Sequence, residues 1–329
     1  MGAWSCSART SASAAARSCS SVSTAPPPLF PPRTLGSRRS VSNCLVEPVC
    51  RVSVPTERGD AHAPGGEGRA HHGGGTGIGA ATAALFRREG AEVVITGRRP
   101  APLEAVAAAT GAVALAGDAG SAADVAAAVA VASERFGGLD VVVANAGGSP
   151  PSPVLETDDA AWQAALHGNL TTAFVTCRES LPSLLERQGA IVIVSSLAGH
   201  FAGPGVVGYT TAKHALVGLT KSMARDYGPR GVRVNAVSPA WVRTPMADRA
   251  MEAVGNLHGV DRDGAYALAT SQVPLRRHGE PEEVATICLF LATPDSALLM
   301  GAVLIADGGA HIVDLPTLAL DGARGVQAY

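Results

Sequence analysis

Beyond Gly73 the chain alternates between short runs that are apolar on both faces and longer stretches with helical spacing. Residues 92–96 (EVVIT, between Gly90 and Gly97), 112–116, 139–144 (LDVVVA), 190–195 (AIVIVS), 232–237 and 302–306 (AVLIA) are each mainly apolar. Such runs predict strands covered on both sides. Between them, residues 80–89, 102–109, 122–136, 209–227 and 281–291 predict helices. Residues 159–187 predict one long helix with Pro182 near its end, and 246–271 are irregular and polar. Strands alternating with helices specify an α/β fold, a Rossmann-like doubly wound parallel sheet with helices on both faces.

The pattern fails at one place. A glycine turn such as Gly73-Gly74-Gly75-Thr76-Gly77-Ile78-Gly79 should follow a buried strand, yet Arg69-Ala70-His71-His72 precede it. The first strand is therefore expected to be corrupted. Residues 1–64 are rich in Ser, Ala, Pro and Arg, with STAPPPLFPPR in the middle, and show neither helical nor strand periodicity. Such a composition predicts a disordered or non-native extension. A one-base shift across residues 66–72 permits the reading AKVALIT, which would run straight into the glycines as an apolar strand. The expected domains are thus the extension 1–64, a single Rossmann-type domain 65–312 and a tail 313–329 that packs on a neighbouring subunit or is loose.

Composition narrows the function classes. A formal net charge of −2 provides no global field for nucleic acid or an anionic membrane surface. No apolar run approaches the ~18 residues that span a bilayer, so a soluble, cytoplasmic protein is expected. The alternative is organelle targeting, if the Arg/Ser-rich, acid-poor start is a transit peptide. Cys6, Cys19, Cys44, Cys50, Cys177 and Cys288 show no metal-binding spacing. They are expected to be free thiols, and no metal is expected.

The glycine turn suits a dinucleotide. Glycines let the backbone approach a pyrophosphate, and the following helix N-terminus favours its charge. Gly97-Arg98-Arg99 follow the next strand, where a carboxylate would hold an adenosine ribose 2′-hydroxyl. Two arginines suit a 2′-phosphate instead, which favours NADP(H) over NAD(H). Tyr209 and Lys213, in YTTAK, stand one helical turn apart on a common face. The chain has four tyrosines and only two lysines, Lys213 and Lys221, so this pairing has weight that the bare spacing lacks. Upstream, the strand AIVIVSS ends at Ser195-Ser196, at the carboxyl edge where such sheets bind ligands.

Together these motifs resemble the short-chain dehydrogenase/reductase family, in its non-extended branch and similar to 3-oxoacyl-carrier-protein reductases. The likeness runs from about residue 73 to 312. It rests on Gly73, Gly77 and Gly79, Ala144-Asn145-Ala146-Gly147, Asn169, Ser196, Tyr209, Lys213, NAVSPAWVRTPM at 235–246, VPLRRHGEPEEVA at 273–285 and DGG at 307–309. His72 departs from the family's Thr, and Ala240 from its usual Gly, which is tolerable if its φ is below zero.

The resemblance implies an enzyme that interconverts a ketone and a secondary alcohol by hydride transfer. Its catalytic set would be Asn169, Ser196, Tyr209 and Lys213: Tyr209 as acid and base, Ser196 orienting the substrate oxygen, Asn169 holding a water that links Lys213 to solvent. The Lys213 cation, with that of the oxidised nicotinamide, would lower the pKa of the phenol. Gly73, Gly77, Ile78, Gly79, Arg98, Arg99, Asp118, Asn145, Gly147, Lys213, Val242 and Thr244 would hold the cofactor, Asp118 at the adenine and Thr244 with Val242 at the carboxamide. His200, Val206, Trp241 and Met246 are candidate substrate contacts. With Phe201 and Val207 they form an apolar mix suited to 3-oxoacyl or related apolar carbonyls. The partner is then a small-molecule carbonyl or alcohol. The resemblance also implies a homotetramer or homodimer through the helices carrying Ala173 and Ala212. Two alternatives stay open: a catalytically impaired cofactor-binding regulator, and a sugar or alicyclic alcohol dehydrogenase.

Overall fold

The computed structural model describes residues 43–47, 74–148 and 150–320. Seven parallel strands form one sheet in the order β3-β2-β1-β4-β5-β6-β7. They are β1 (Asn43–Glu47), β2 (Glu92–Gly97), β3 (Val113–Ala116), β4 (Val141–Ala144), β5 (Ala190–Val194), β6 (Arg233–Pro239) and β7 (Val303–Ala306). The helices are α1 (Gly77–Arg88), α2 (Pro100–Thr110), α3 (Ala122–Phe136), α4 (Asp159–Leu166), α5 (Thr172–Arg187), α6 (Val207–Tyr227), α7 (Pro245–His258), α8 (Arg262–Thr270) and α9 (Pro281–Ala292).

β1 corrects the expectation of a lost first strand. Asn43–Glu47 pairs with β2 on one side, Leu45 opposite Val94, and with β4 on the other, Leu45 opposite Val142. Both backbone edges of this central position are therefore hydrogen-bonded, as a buried strand requires. The strand does not abut the glycine turn, and residues 48–73 intervene. The short run Cys44-Leu45-Val46 carries little strand signal in the sequence, because polar Asn43 and Glu47 flank it and it lies far from the turn that a first strand normally abuts. The rest of 1–72, on which the shifted-frame expectation turns, lies outside the described residues, as does Gly73.

Two apolar layers cover the sheet. Ala80, Ala83 and Phe86 of α1, Leu103 and Val106 of α2, and Val284, Cys288 and Leu291 of α9 pack on one face. Ala128 and Ala132 of α3, Cys177, Leu181 and Leu184 of α5, and Leu216 and Met223 of α6 pack on the other. All five residues of β5 are buried, as its unbroken apolar run predicts. Ala173 and Ala212 also lie inside the protomer, 2% and 0% exposed. They therefore do not line an outer face, as the oligomer expectation had used them. Cys177 and Cys288 are free and buried, and burial pushes the Cys288 thiol up to about 12.

Two further differences concern helices. Residues 159–187 are not one regular α-helix: α4 and α5 are joined by a π-helical turn, His167–Thr171. The stretch 246–271, expected to be irregular, forms α7 and α8. They share a small core of Ala247, Met251, Ala265 and Tyr266, tied by a hydrogen bond from the Tyr266 hydroxyl to Asp248 at 3.0 Å. Its polar appearance reflects two short helices that expose most of their surface. Ala240 is unstrained, because among the described residues only Gln188 and Arg276 are non-glycine residues with positive φ. Among the described residues no helix is long and apolar enough to cross a membrane, and no group of three or more His, Cys, Asp or Glu could hold a metal.

The guanidinium of Arg233, at the start of β6, caps the C-terminus of α9. It donates to the carbonyls of Leu291 (2.8 Å), Ala292 (3.0 Å) and Thr293 (3.2 Å) and to Ser296 Oγ (2.7 Å). These are the carbonyls a helix end leaves without partners, at its negative pole. Arg233→Met should therefore destabilise the protein by about 3 kcal/mol, the scale of losing charged hydrogen bonds and leaving acceptors unpaired. The midpoint of urea unfolding measures this, and a midpoint equal to that of the parent would refute the capping role.

Candidate active site

Strand β5 delivers Ser195 and Ser196 to the carboxyl edge of the sheet, beside the crossover between β1 and β4 where the strand order reverses. Their roles divide. Ser195 is buried and its Oγ donates to the Lys213 carbonyl at 3.0 Å, so it fastens β5 to α6. Ser196 Oγ accepts from the Ala198 amide at 3.1 Å and shares a hydrogen bond with the Tyr209 hydroxyl. The turn between them and α6 must lie close to the helix. A Cβ on Gly199 would stand 2.8 Å from the Lys213 carbonyl oxygen and 2.9 Å from Ser195 Oγ.

α6 carries Tyr209 and Lys213 one turn apart. Lys213 is 3% exposed, and its Nζ donates to the Val194 carbonyl, the last of β5, at 2.9 Å. The same ammonium nitrogen lies 5.7 Å from the centre of the Tyr209 ring. Asn169 arrives from the π-helical turn and is fully buried. Its Oδ1 accepts from the Gly148 amide at 2.7 Å, and its Nδ2 donates to the carbonyls of Gly148 (3.1 Å) and Ala165 (2.8 Å). The extra residue of a π turn re-aims side chains, which accounts for an asparagine pointing inward from a helix surface. Gly147 joins the two groups: a Cβ there would stand 2.9 Å from Asn169 Oδ1 and 3.0 Å from Lys213 Nζ. The structure thus brings Asn169, Ser196, Tyr209 and Lys213 to one place.

Burial pushes the Tyr209 phenol above its ordinary value, opposed by the hydrogen bond from Ser196. Burial also lowers Lys213 to about 7. Desolvation is the largest influence on both groups, because each charged form is removed from water.

The cofactor candidates converge on the same edge. Gly77 opens α1 with φ +66°, and a Cβ there would meet Thr244 Cγ2 at 2.9 Å. Only glycine accepts both that backbone and that approach. Gly79 is buried, Ile78 packs on the α1 layer of the core, and Asn145 is half-buried after β4. Val242 is buried and bridged to Gly279, and Thr244 caps α7 by accepting from the Ala247 amide at 3.2 Å. Asp118 follows β3, with its Oδ1 accepting from Gly120 N at 2.8 Å. Arg98 and Arg99 are exposed after β2 and form no ion pair among the described residues.

The substrate candidates are more dispersed. His200 Nε2 lies 3.0 Å from Ser238 Oγ, which ties its ring to β6, and burial lowers its pKa. Val206 is bridged to Ser152. Trp241 (42%) and Met246 (38%) are exposed, as is Phe201 (50%). Sequence reasoning missed Gly148, Ser195, Ser238 and the Val194 carbonyl. Two of these act through backbone atoms, which carry no residue-type signal. The paired glycines after Ala146 were the one available hint.

Lys213 also generates a stability test. Its folded pKa lies below the unfolded 10.5. The native state therefore binds fewer protons between about 7 and 10.5, and stability rises with pH across that window. Below 7 the cost of burying the ammonium is present in full, and above 10.5 it is gone. Lys213→Met should accordingly raise the melting temperature at pH 6 by roughly 5 °C, with the gain vanishing towards pH 10. Thermal melts at both values check this.

Comparisons with known proteins cover the same stretch of the chain. A family model described as Enoyl-(Acyl carrier protein) reductase matches residues 73–311. Protein MoaE of Klebsiella aerogenes is 48% identical over 248 residues, covering 75% of this chain and 96% of its own. The 3-oxoacyl-[acyl-carrier-protein] reductase FabG of Thermotoga maritima is 35% identical over 177 residues, covering 54% of this chain and 68% of its own. Among solved structures, a short-chain type dehydrogenase/reductase from Mycobacterium marinum superposes with a TM-score of 0.64 at 30% identity, covering 71% of this chain and 91% of that one.

Proposed function

Since the chain belongs to the short-chain dehydrogenase/reductase family and is an NAD(P)-dependent oxidoreductase acting between alcohols and ketones, we propose that it reduces an apolar ketone, of 3-oxoacyl or related type, with NADPH. One observation carries the reading: Ser196, Tyr209, Lys213 and Asn169 meet at the end of β5, on the sheet edge where Gly77 opens α1 with φ +66°.

The residues fit such a group. Gly77, Gly79, Asn145 and Gly147 would line the cleft, Val242 and Thr244 the carboxamide end, and Asp118 the adenine. The exposed guanidinium groups of Arg98 and Arg99 would take a 2′-phosphate through charge-assisted bonds. When bound, the nicotinamide supplies the hydride. The chain's own part is to manage oxygen and proton. Ser196 and Tyr209, already hydrogen-bonded to each other, would both reach the substrate oxygen, Ser196 to orient it and Tyr209 to give it a proton. A phenol in a dry site keeps its proton until a negative oxygen develops beside it, which suits an acid in the reducing direction. Lys213, anchored on Val194, would as its ammonium stabilise the phenolate left when Tyr209 gives its proton to the substrate oxygen, and Asn169 would hold a water linking Lys213 to solvent. The exposed apolar groups Trp241 and Met246, with Val206, would face the substrate, while His200 would set the turn below it. The physiological unit would be a homodimer or homotetramer.

Tyr209→Phe should lower the rate of NADPH consumption with a responsive ketone by at least about 100-fold, the lower range for losing a positioned acid. An unchanged rate, or no ketone reduced by the parent with either cofactor, would overturn the proposal. Arg98→Ala combined with Arg99→Ala should raise KM for NADPH by about tenfold or more, while NADH is used as before, since the loss is of bonds to a 2′-phosphate. Equal effects on the two cofactors would refute the 2′-phosphate role.

A further inference from the structure

His167 is used by none of the roles above, yet it joins two parts of the site. It opens the π-helical turn that carries Asn169. Its ring lies directly on the loop after β3: a Cβ on Gly120 would stand 2.4 Å from its Cε1 and 2.6 Å from its Nε2. That Nε2 is 3.7 Å from Asp118 Oδ2. The rest of Asp118 is already committed, its Oδ1 to the Gly120 amide and its own amide to Asp124 Oδ2 at 2.8 Å. Its remaining oxygen is therefore shared between His167 and whatever arrives from solvent. Both side chains are partly open, 49% and 35% exposed, so a ligand has access to them.

We propose that His167 is the positioning residue of the adenosine end of the cofactor cleft: from the turn that holds Asn169 it fixes the Asp118–Gly120 loop and aims the Asp118 carboxylate at the purine amino group. The inference rests on the cofactor reading above. Two features of the chain support it independently of that reading. Gly120 has no φ requirement for glycine, because it is not among the positive-φ residues, so its missing side chain is explained by the imidazole lying on it. In addition, among the described residues no other cationic side chain lies within ion-pair distance of Asp118.

The test is calorimetric titration with ADP-ribose, which carries the adenosine end without the nicotinamide, alongside steady-state kinetics. His167→Ala should weaken ADP-ribose binding about tenfold, the effect of losing one interaction to a charged group. It should raise KM for the nicotinamide cofactor by a similar factor, with kcat at saturation changing far less. His167→Gln, which keeps an N–H donor of comparable reach, should restore most of the affinity. Gly120→Ala should reproduce the loss by expelling the ring, and the double variant Gly120→Ala/His167→Ala should bind no worse than either single one. Wild-type affinity in His167→Ala, losses that multiply in the double variant, or a fall in kcat without a change in KM would each overturn the role. A parent protein that takes up neither NADPH nor NADH would instead sink the cofactor reading itself, which separates the two failures.

Discussion

The site is organised by the ammonium of Lys213, held out of water on the last carbonyl of β5. Among the described residues this lysine has one direct hydrogen bond, to Val194, and no ion pair. Its charge is costly enough to bring its pKa to about 7. The neighbouring elements are arranged around that cost. The backbone of the Lys213 turn is pinned by Ser195, the turn at Gly199 is stripped of a side chain to pass beneath it, and Gly147 leaves the space between Nζ and Asn169 open. An uncompensated buried cation is a poor structural element and a useful chemical one, because it is ready to respond to negative charge arriving beside it.

The parallel sheet makes this placement possible. Every strand ends on the same edge, so the loops after β2, β3, β4, β5 and β6 bring Arg98, Asp118, Gly147, Ser196 and Val242 to a common rim. Helix α6 crosses that rim and adds Tyr209 and Lys213. The π-helical turn is the irregular component. It interrupts an otherwise continuous run from α4 to α5 at the point where Asn169 turns inward and His167 reaches across to the loop after β3. A regular helix would carry the same two residues but present them on different bearings.

Much of this was legible in one dimension. Six of the seven strands were readable as short, mainly apolar runs, because a doubly covered parallel strand tolerates few polar residues. Tyr209 and Lys213 announced a shared helix face by spacing alone, and Ser196 by standing at a strand end. The first strand escaped notice because a five-residue run with Asn and Glu at its ends has almost no periodic signal. What qualifies Asn43–Glu47 as a central strand is the pair of partners on either side, β2 and β4, which are remote in sequence. The helices α7 and α8 were hidden for a related reason: each is short and mostly exposed, so their shared core amounts to only a few side chains.

Local chemistry and periodicity, then, determined the fold class, the glycine turn, the arginines after β2 and the Tyr209–Lys213 pair, since each is set by neighbours within a few residues. Only the tertiary structure decided that Ser195 braces while Ser196 faces Tyr209, that Ala173 and Ala212 point inward, that Asn169 is aimed by a π turn, and that burial raises the Tyr209 phenol and lowers Lys213. Burial and electrostatic environment are sums over contacts between distant segments, and no window along the chain contains them.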